Sequence, residues 1–206
     1  MRPRHRHWPL IGLLITSLGA IAAERAPIAD IHLHWKWNQK EVTTPAQAIE
    51  ILRAQDVALA VVTGTPPELA LELHDLAPDR ILPIYGIYRI PGEWSSWHLD
   101  PTLLRRVRDA LQTGQYVGIG EIHMIGGFIS DWKNPIIAGL FEAAAEFDVP
   151  VLLHTEFSRA NYTLDLCQAF PNTRILWAHA GSMLAPGEVE RVGPAVSRSG
   201  SSNRPA

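Results

Sequence analysis

Residues 28–35 read IADIHLHW, and this stretch decides how the rest of the chain is interpreted. Three polar residues in it, Asp30, His32 and His34, alternate with apolar ones. Because successive side chains of a β-strand point to opposite faces, the three polar side chains share one face of the predicted strand. Burying polar groups is costly unless a partner satisfies them. The stretch therefore predicts a strand that needs a ligand on one face.

A divalent metal ion is the partner that best suits this face. Neutral imidazole is a good zinc ligand, and a neighbouring carboxylate such as Asp30 can orient the ring of a ligating histidine. The competing interpretation is a half-solvated edge strand. We favour the metal site, because the first strand of a βα series normally lies inside its sheet.

Five more β-type runs follow, and helix-period stretches alternate with them. The β-type runs lie at 58–64, 81–88, 116–123, 149–156 and 174–181, and the helical stretches lie at 44–56, 66–78, 100–114, 134–148 and 161–170. Strict alternation predicts an α/β fold with a parallel sheet and right-handed crossovers. The sheet is either doubly wound or part of a (β/α)8 TIM barrel, with about six βα units present.

The two ends of the chain depart from this pattern. Residues 1–23 combine a basic lead with an apolar run that ends in small residues, which is typical of a secretory signal peptide. An uncleaved anchor is the alternative; cleavage would leave no stable membrane insertion. Either assignment predicts export, to the periplasm or the medium. Residues 24–193 form the predicted domain, and the polar segment 194–206 is expected to be disordered.

The composition argues against a nucleic-acid partner and against an internal disulfide. The chain has 206 residues and a formal net charge of −3, with no basic stripe that could neutralise phosphates, so we expect no nucleic-acid partner. Cys167 is the single cysteine, so no internal disulfide forms. We expect a small-molecule substrate, and assembly into a homo-oligomer stays open.

Further residues of the types that bind metals lie near the ends of the later predicted strands. Glu121 lies near the end of the fourth β-type run, His154 near the end of the fifth, and His179 near the end of the sixth. Parallel α/β folds place their active sites at the carboxyl ends of the strands. Together with His32 and His34, these residues form a mixed nitrogen and oxygen set that suits Zn²⁺, with Mn²⁺ or Fe²⁺ as alternatives.

This ordered set resembles the amidohydrolase superfamily, and most closely its amidohydrolase-related TIM-barrel hydrolases. The resemblance rests on D-x-H-x-H in the first strand, G-x-G-E in the fourth, a histidine closing the fifth and H-A-G closing the sixth. It implies that His32 and His34 bind a first ion, while His154 and His179 complete that site or hold a second ion. Glu121 takes the fourth-strand ligand position.

One family feature has no counterpart here. The resemblance implies an essential aspartate after an eighth strand, whereas six β-type runs are present. We therefore expect a C-terminally truncated barrel, the alternative being an open six-stranded sheet that is complete as it stands.

The resemblance and the metal chemistry together imply a hydrolase that cleaves amide, lactone or ester bonds through a metal-activated water. Glu121 and His179 are the expected proton-transfer residues. Arg89, His123 and Trp35 are weaker candidates for substrate contacts. Two alternatives stay open: a metal-dependent decarboxylase in which Arg89 holds the acid, and a catalytically silent remnant that still binds metal.

Overall fold

The computed structural model describes residues 26–124, 132–156 and 159–180. Strands and helices alternate in it as the sequence predicts. In chain order they are β1 (Ile28–Lys36), α1 (Pro45–Ala54), β2 (Val57–Thr65), α2 (Glu68–Leu76), β3 (Ile81–Ile84), α3 (Leu103–Gln112), β4 (Ile119–His123), α4 (Pro135–Glu146), β5 (Val151–His154), α5 (Ala160–Ala169) and β6 (Ile175–Trp177). The predicted signal peptide, 1–23, and the predicted tail, 194–206, lie outside the described residues.

Two helices begin with side-chain caps that satisfy otherwise unpaired amides. Thr44 accepts a hydrogen bond from the Gln47 amide at 3.2 Å, and the Gln47 side chain accepts one from the Thr44 amide at 2.9 Å. Asn134 accepts from the Ile136 amide at 2.8 Å. A proline follows each cap, at a helix position where its missing N–H costs nothing.

The six strands are parallel and follow one another in chain order. Hydrogen-bonded pairing gives β1-β2-β3 and β4-β5-β6, and a bridge between Tyr85 and Ile119 joins the two groups. The Tyr85 amide donates to Gly118 at 2.8 Å, and the Gly120 amide donates to Tyr85 at 3.0 Å. A doubly wound sheet reverses its strand order at a switch point, whereas a barrel adds strands in one direction. The fold is therefore a partial TIM barrel.

The position of β1 corrects one expectation. Within the described residues β1 pairs with β2 alone, so it is an edge strand of this arc and not an interior one. Its exposed side chains agree, since Ile28 is 50% and Ile31 is 57% exposed.

Apolar side chains pack on both sides of the sheet. Two clusters lie between strands and helices: one around Phe141, Leu103 and Ile122, and the other around Trp35 and Leu73. A third, small cluster of Ile84, Leu152 and Ala178, with Val61 beside it, packs separately from these. Its members come from four of the six strand regions, as expected of side chains that fill a barrel interior in layers.

No helix among the described residues is long and apolar enough to cross a membrane.

Candidate metal centre

The strand ends bring the five predicted ligands together. His32 and His34 lie on β1, Glu121 on β4 and His154 at the end of β5, and His179 follows β6. The ring centroids of His32 and His179 are 4.7 Å apart, although their strands are the first and the last of the arc. Only a strongly curved sheet brings these two strand ends into contact.

Glu121 is the centre of the cluster. It is 3% exposed, and its two carboxylate oxygens face different histidines. Oε2 lies 3.4 Å from His32 Nε2 and 3.1 Å from His34 Nε2. Oε1 lies 2.7 Å from His154 Nδ1 and 3.5 Å from His179 Nε2. One buried carboxylate thus connects two histidine pairs.

Gly120 explains why the chain can hold Glu121 in this position. Its φ of +131° is one that residues with a side chain rarely adopt, and a Cβ atom there would lie 2.4 Å from the Leu152 carbonyl oxygen. The glycine lets β4 approach β5 closely, beside the point where Glu121 meets His154.

The two β1 histidines converge on one point. Their Nε2 atoms are 3.0 Å apart, and the β1–β2 register shifts between Asp30 and Leu33. The Asp30 carboxylate accepts a hydrogen bond from the backbone amide of His32 at 3.0 Å, and no ring contact of this carboxylate occurs in the described part of the chain. The expected role of Asp30 in orienting a ring is therefore replaced by a backbone contact.

The electrostatics of the cluster keep Glu121 ionised. Burial alone would raise the pKa of this carboxyl, but hydrogen bonds from His154, His32 and His34 lower it well below its usual range. Burial also lowers the pKa of His123 to about 4, a change that the negative charge of Glu121 opposes and the positive charge of Lys36 reinforces. The site therefore offers an anionic oxygen pair and at least one neutral imidazole.

This donor set fits a divalent ion. Ligand atoms of His32, His34 and Glu121 form one group within 4.8 Å, and those of Glu121, His154 and His179 form a second. A tetrahedral zinc ion with bonds of about 2.0–2.1 Å holds its ligand atoms about 3.3–3.4 Å apart. The first group has edges of 3.0, 3.1 and 3.4 Å, close to that spacing. A buried carboxylate among several imidazoles is also the arrangement that a cation satisfies best.

His123 joins the cluster more closely than the sequence predicts. Its Nε2 lies 3.6 Å from Glu121 Oε2, and its ring stacks on His154 with centroids 4.6 Å apart. Tyr88, which the sequence analysis missed, holds it. The Tyr88 hydroxyl accepts from the His123 amide at 2.9 Å and lies 2.8 Å from Nδ1. The hydroxyl can donate its own proton to Nδ1 while it accepts from the amide, and in that arrangement the proton of a neutral His123 lies on Nε2, the nitrogen that faces Glu121.

Two predicted substrate contacts lie elsewhere. Trp35 is 4% exposed and packs in the cluster beneath α1 and α2, because it lies on the opposite face of β1 from His34. The Arg89 guanidinium pairs with Glu93 at 2.8 Å and lies 3.6 Å from Asp100, where it borders a separate cavity. Glu93 and Asp100 therefore engage Arg89 at the wall of that other cavity.

No family model matches the chain, and no curated protein matches it. Solved structures do. A protein from Acinetobacter baumannii described as a probable 2-pyrone-4,6-dicarboxylic acid hydrolase, with citric acid bound, is 14% identical at a TM-score of 0.50, covering 73% of this chain and 57% of its own. This chain therefore spans little more than half the length of that protein.

Two further structures show weaker likeness. The dihydroorotase of Campylobacter jejuni is 19% identical, with a TM-score of 0.42 over 72% of this chain and 46% of its own. The phosphotriesterase homology protein of Escherichia coli, with phosphate in its active site, is 20% identical, with a TM-score of 0.45 over 70% of this chain and 58% of its own. The comparison confirms the predicted fold: this chain has the architecture of part of a TIM barrel, with six strands and the five α-helices between them in the described residues.

Proposed function

We propose that this chain is a metal-dependent hydrolase that cleaves an amide, lactone or ester bond of a small molecule. One or two divalent ions, with Zn²⁺ first among them, would be held by His32, His34, Glu121, His154 and His179. The observation that carries the proposal is the buried Glu121 carboxylate, whose oxygens each face a separate pair of imidazoles. A purely structural ion pair does not need five converging ligands.

A divalent ion in such a site lowers the pKa of water to about 7 and polarises a carbonyl oxygen. In hydrolysis the water oxygen adds to the carbonyl carbon, the C–N or C–O bond breaks, and the leaving group takes a proton. Glu121 keeps the imidazoles together and balances positive charge. Of the two residues proposed for proton transfer, Glu121 is 4% and His179 is 49% exposed at the side chain, so His179 is the one that substrate reaches.

The test is metal content combined with hydrolysis. We expect purified full-length protein to contain a stoichiometric divalent metal and to hydrolyse members of an ester and lactone panel until a chelator is added. Glu121→Gln keeps the side chain's shape but removes its charge. Loss of an outer-shell partner costs about 10–100-fold in metal affinity, so loss of this central carboxylate should cost at least about 100-fold.

Glu146→Gln is the matched control, because Glu146 is 56% exposed and pairs with Arg108 on the surface. This control should bind metal as the original protein does. Full metal affinity in Glu121→Gln, or hydrolysis that survives the chelator unchanged, contradicts the proposal.

The residue expected to bind the carboxylic acid in the decarboxylase alternative is paired with other groups. That alternative assigned the acid to Arg89, which Glu93 and Asp100 engage. Carbon dioxide release from an unsaturated carboxylic acid, abolished by the chelator, would nevertheless establish it.

A further inference from the structure

A cavity of about 140 Å³ opens beside the histidine cluster. Its wall comes from the end of β1, the end of β2 and the segment after β3, and the side chains used below are those of Lys36, Trp37, Tyr88, Ile90, Trp94 and His123. His123 belongs to this wall and also lies 3.6 Å from the Glu121 carboxylate. A molecule in the cavity is therefore in reach of the candidate metal centre.

The mouth of the cavity is apolar and exposed. Trp37 is 39%, Trp94 is 42% and Ile90 is 61% exposed, which is unusual for such large apolar side chains. Exposed apolar surface concentrated at one place marks a contact site for a ligand or partner. Indole rings offer flat faces, on which planar groups stack with an offset geometry.

The cavity wall also carries one positive charge. Among the described wall residues Lys36 is the one formally charged side chain, and none of them is a carboxylate. Among the described residues the Lys36 ammonium has no salt bridge, in contrast to Lys40, which pairs with Glu72 at 2.8 Å. An anionic group would complete this wall.

We propose that this cavity binds a flat apolar group that bears an anionic substituent, with Lys36 contacting the anion and the Trp37 and Trp94 indoles stacking on the flat face. The inference rests on the proposed function, because it names the substrate class of that same site. The bond to be cleaved would lie next to His123, between the bound flat group and the metal centre.

The test is isothermal titration of the full-length protein with three probes. 2-Naphthoate is flat and anionic, naphthalene-2-carboxamide has the same shape without charge, and cyclohexanecarboxylate has the charge without the flat ring. We expect 2-naphthoate to bind about fivefold to tenfold more tightly than the carboxamide, because a charge-assisted hydrogen bond is about twice as strong as a neutral one. We expect it also to bind more tightly than cyclohexanecarboxylate, because a saturated ring cannot stack on the indole faces.

Variants of Lys36 and Trp94 test whether the preference for 2-naphthoate arises in this cavity. Lys36→Met should bring the affinities for naphthoate and its amide together, Lys36→Arg should restore the preference, and Trp94→Ala should weaken both naphthyl ligands. Lys40→Met is the matched control and should behave as the original protein. Equal affinities for acid and amide in the original protein overturn the inference, and so does a Lys36→Met variant with the same preference as Lys40→Met.

Each titration is repeated in the presence of a chelator, and the metal content of the same sample is measured. A preference that chelation removes but Lys36→Met leaves intact overturns the inference, because the ion then binds the carboxylate. Failure of the proposed function looks different: the Lys36-dependent preference persists, while the protein holds no metal and hydrolyses nothing.

Discussion

Replacing Gly120 by alanine should destabilise the protein more than any change at a surface glycine. Two costs combine at this position. A side chain at φ +131° occupies a sparsely populated backbone region, which costs about 1–3 kcal/mol. Its Cβ would also lie 2.4 Å from the Leu152 carbonyl oxygen, and overpacking of this kind costs a further ~1–3 kcal/mol. The sum, about 2–6 kcal/mol, is a large share of the roughly 5–15 kcal/mol that stabilises a typical domain.

Gly114→Ala separates the two costs. Gly114 also has a positive φ, +70°, but a Cβ atom there would meet nothing within 4 Å. Gly114→Ala should therefore lower the free energy of unfolding by only about 1–2 kcal/mol, the usual cost of a left-handed backbone. Thermal unfolding of both variants is followed by circular dichroism. The unfolding midpoint of Gly120→Ala should lie at least about 2–4 °C below that of Gly114→Ala, which is the shift expected per kcal/mol for a domain of this size. If Gly120→Ala unfolds at or above the temperature of Gly114→Ala, the close approach of β4 to β5 is not as described.

Three other changes test the fold and its charges. Thr44→Ala removes the cap of α1 and should lower the free energy of unfolding by about 1 kcal/mol in urea titrations. Phe141→Ala empties a fully buried position and should cost about 3–5 kcal/mol in the same assay. Hydrogen bonds from Thr102 and Arg106 lower the pKa of Asp100 from 3.8 to about 2, so its stabilisation is present above pH 3.8 and is lost as the pH falls toward 2. Asp100→Asn should therefore cost about 1 kcal/mol at pH 7 and progressively less below pH 4, and a constant difference would contradict this pairing.

Much of the fold could be predicted from the sequence, because buried parallel strands have continuous apolar runs that are visible without a structure. The strand ends were less accurate. The run at 81–88 predicted one long strand, but β3 ends at Ile84 and continues only as the Tyr85 bridge to β4. The last run was also too long, since His179 has a left-handed backbone, with φ +58°, and turns away from β6.

The candidate site could be predicted where its residues lie at strand ends, since topology alone brings those ends together. Contacts that depend on long loops could not be predicted in this way. The Tyr88 hydroxyl reaches His123 only because the segment after β3 folds back over β4. The same segment contains Glu93, which pairs with Arg89. The edge position of β1 likewise depends on which strands pair beyond it, and local pattern does not contain that information.

The meeting of His32 and His179 at one carboxylate has a consequence for stability. These residues lie near opposite ends of the described chain, so an ion shared by their groups would act as a long-range cross-link in a protein whose lone cysteine cannot provide one. A ligand that binds only the folded state adds about 2.7 kcal/mol of stability at a hundredfold excess over its dissociation constant. Metal supply would then govern the lifetime of the protein against proteases as well as its chemistry.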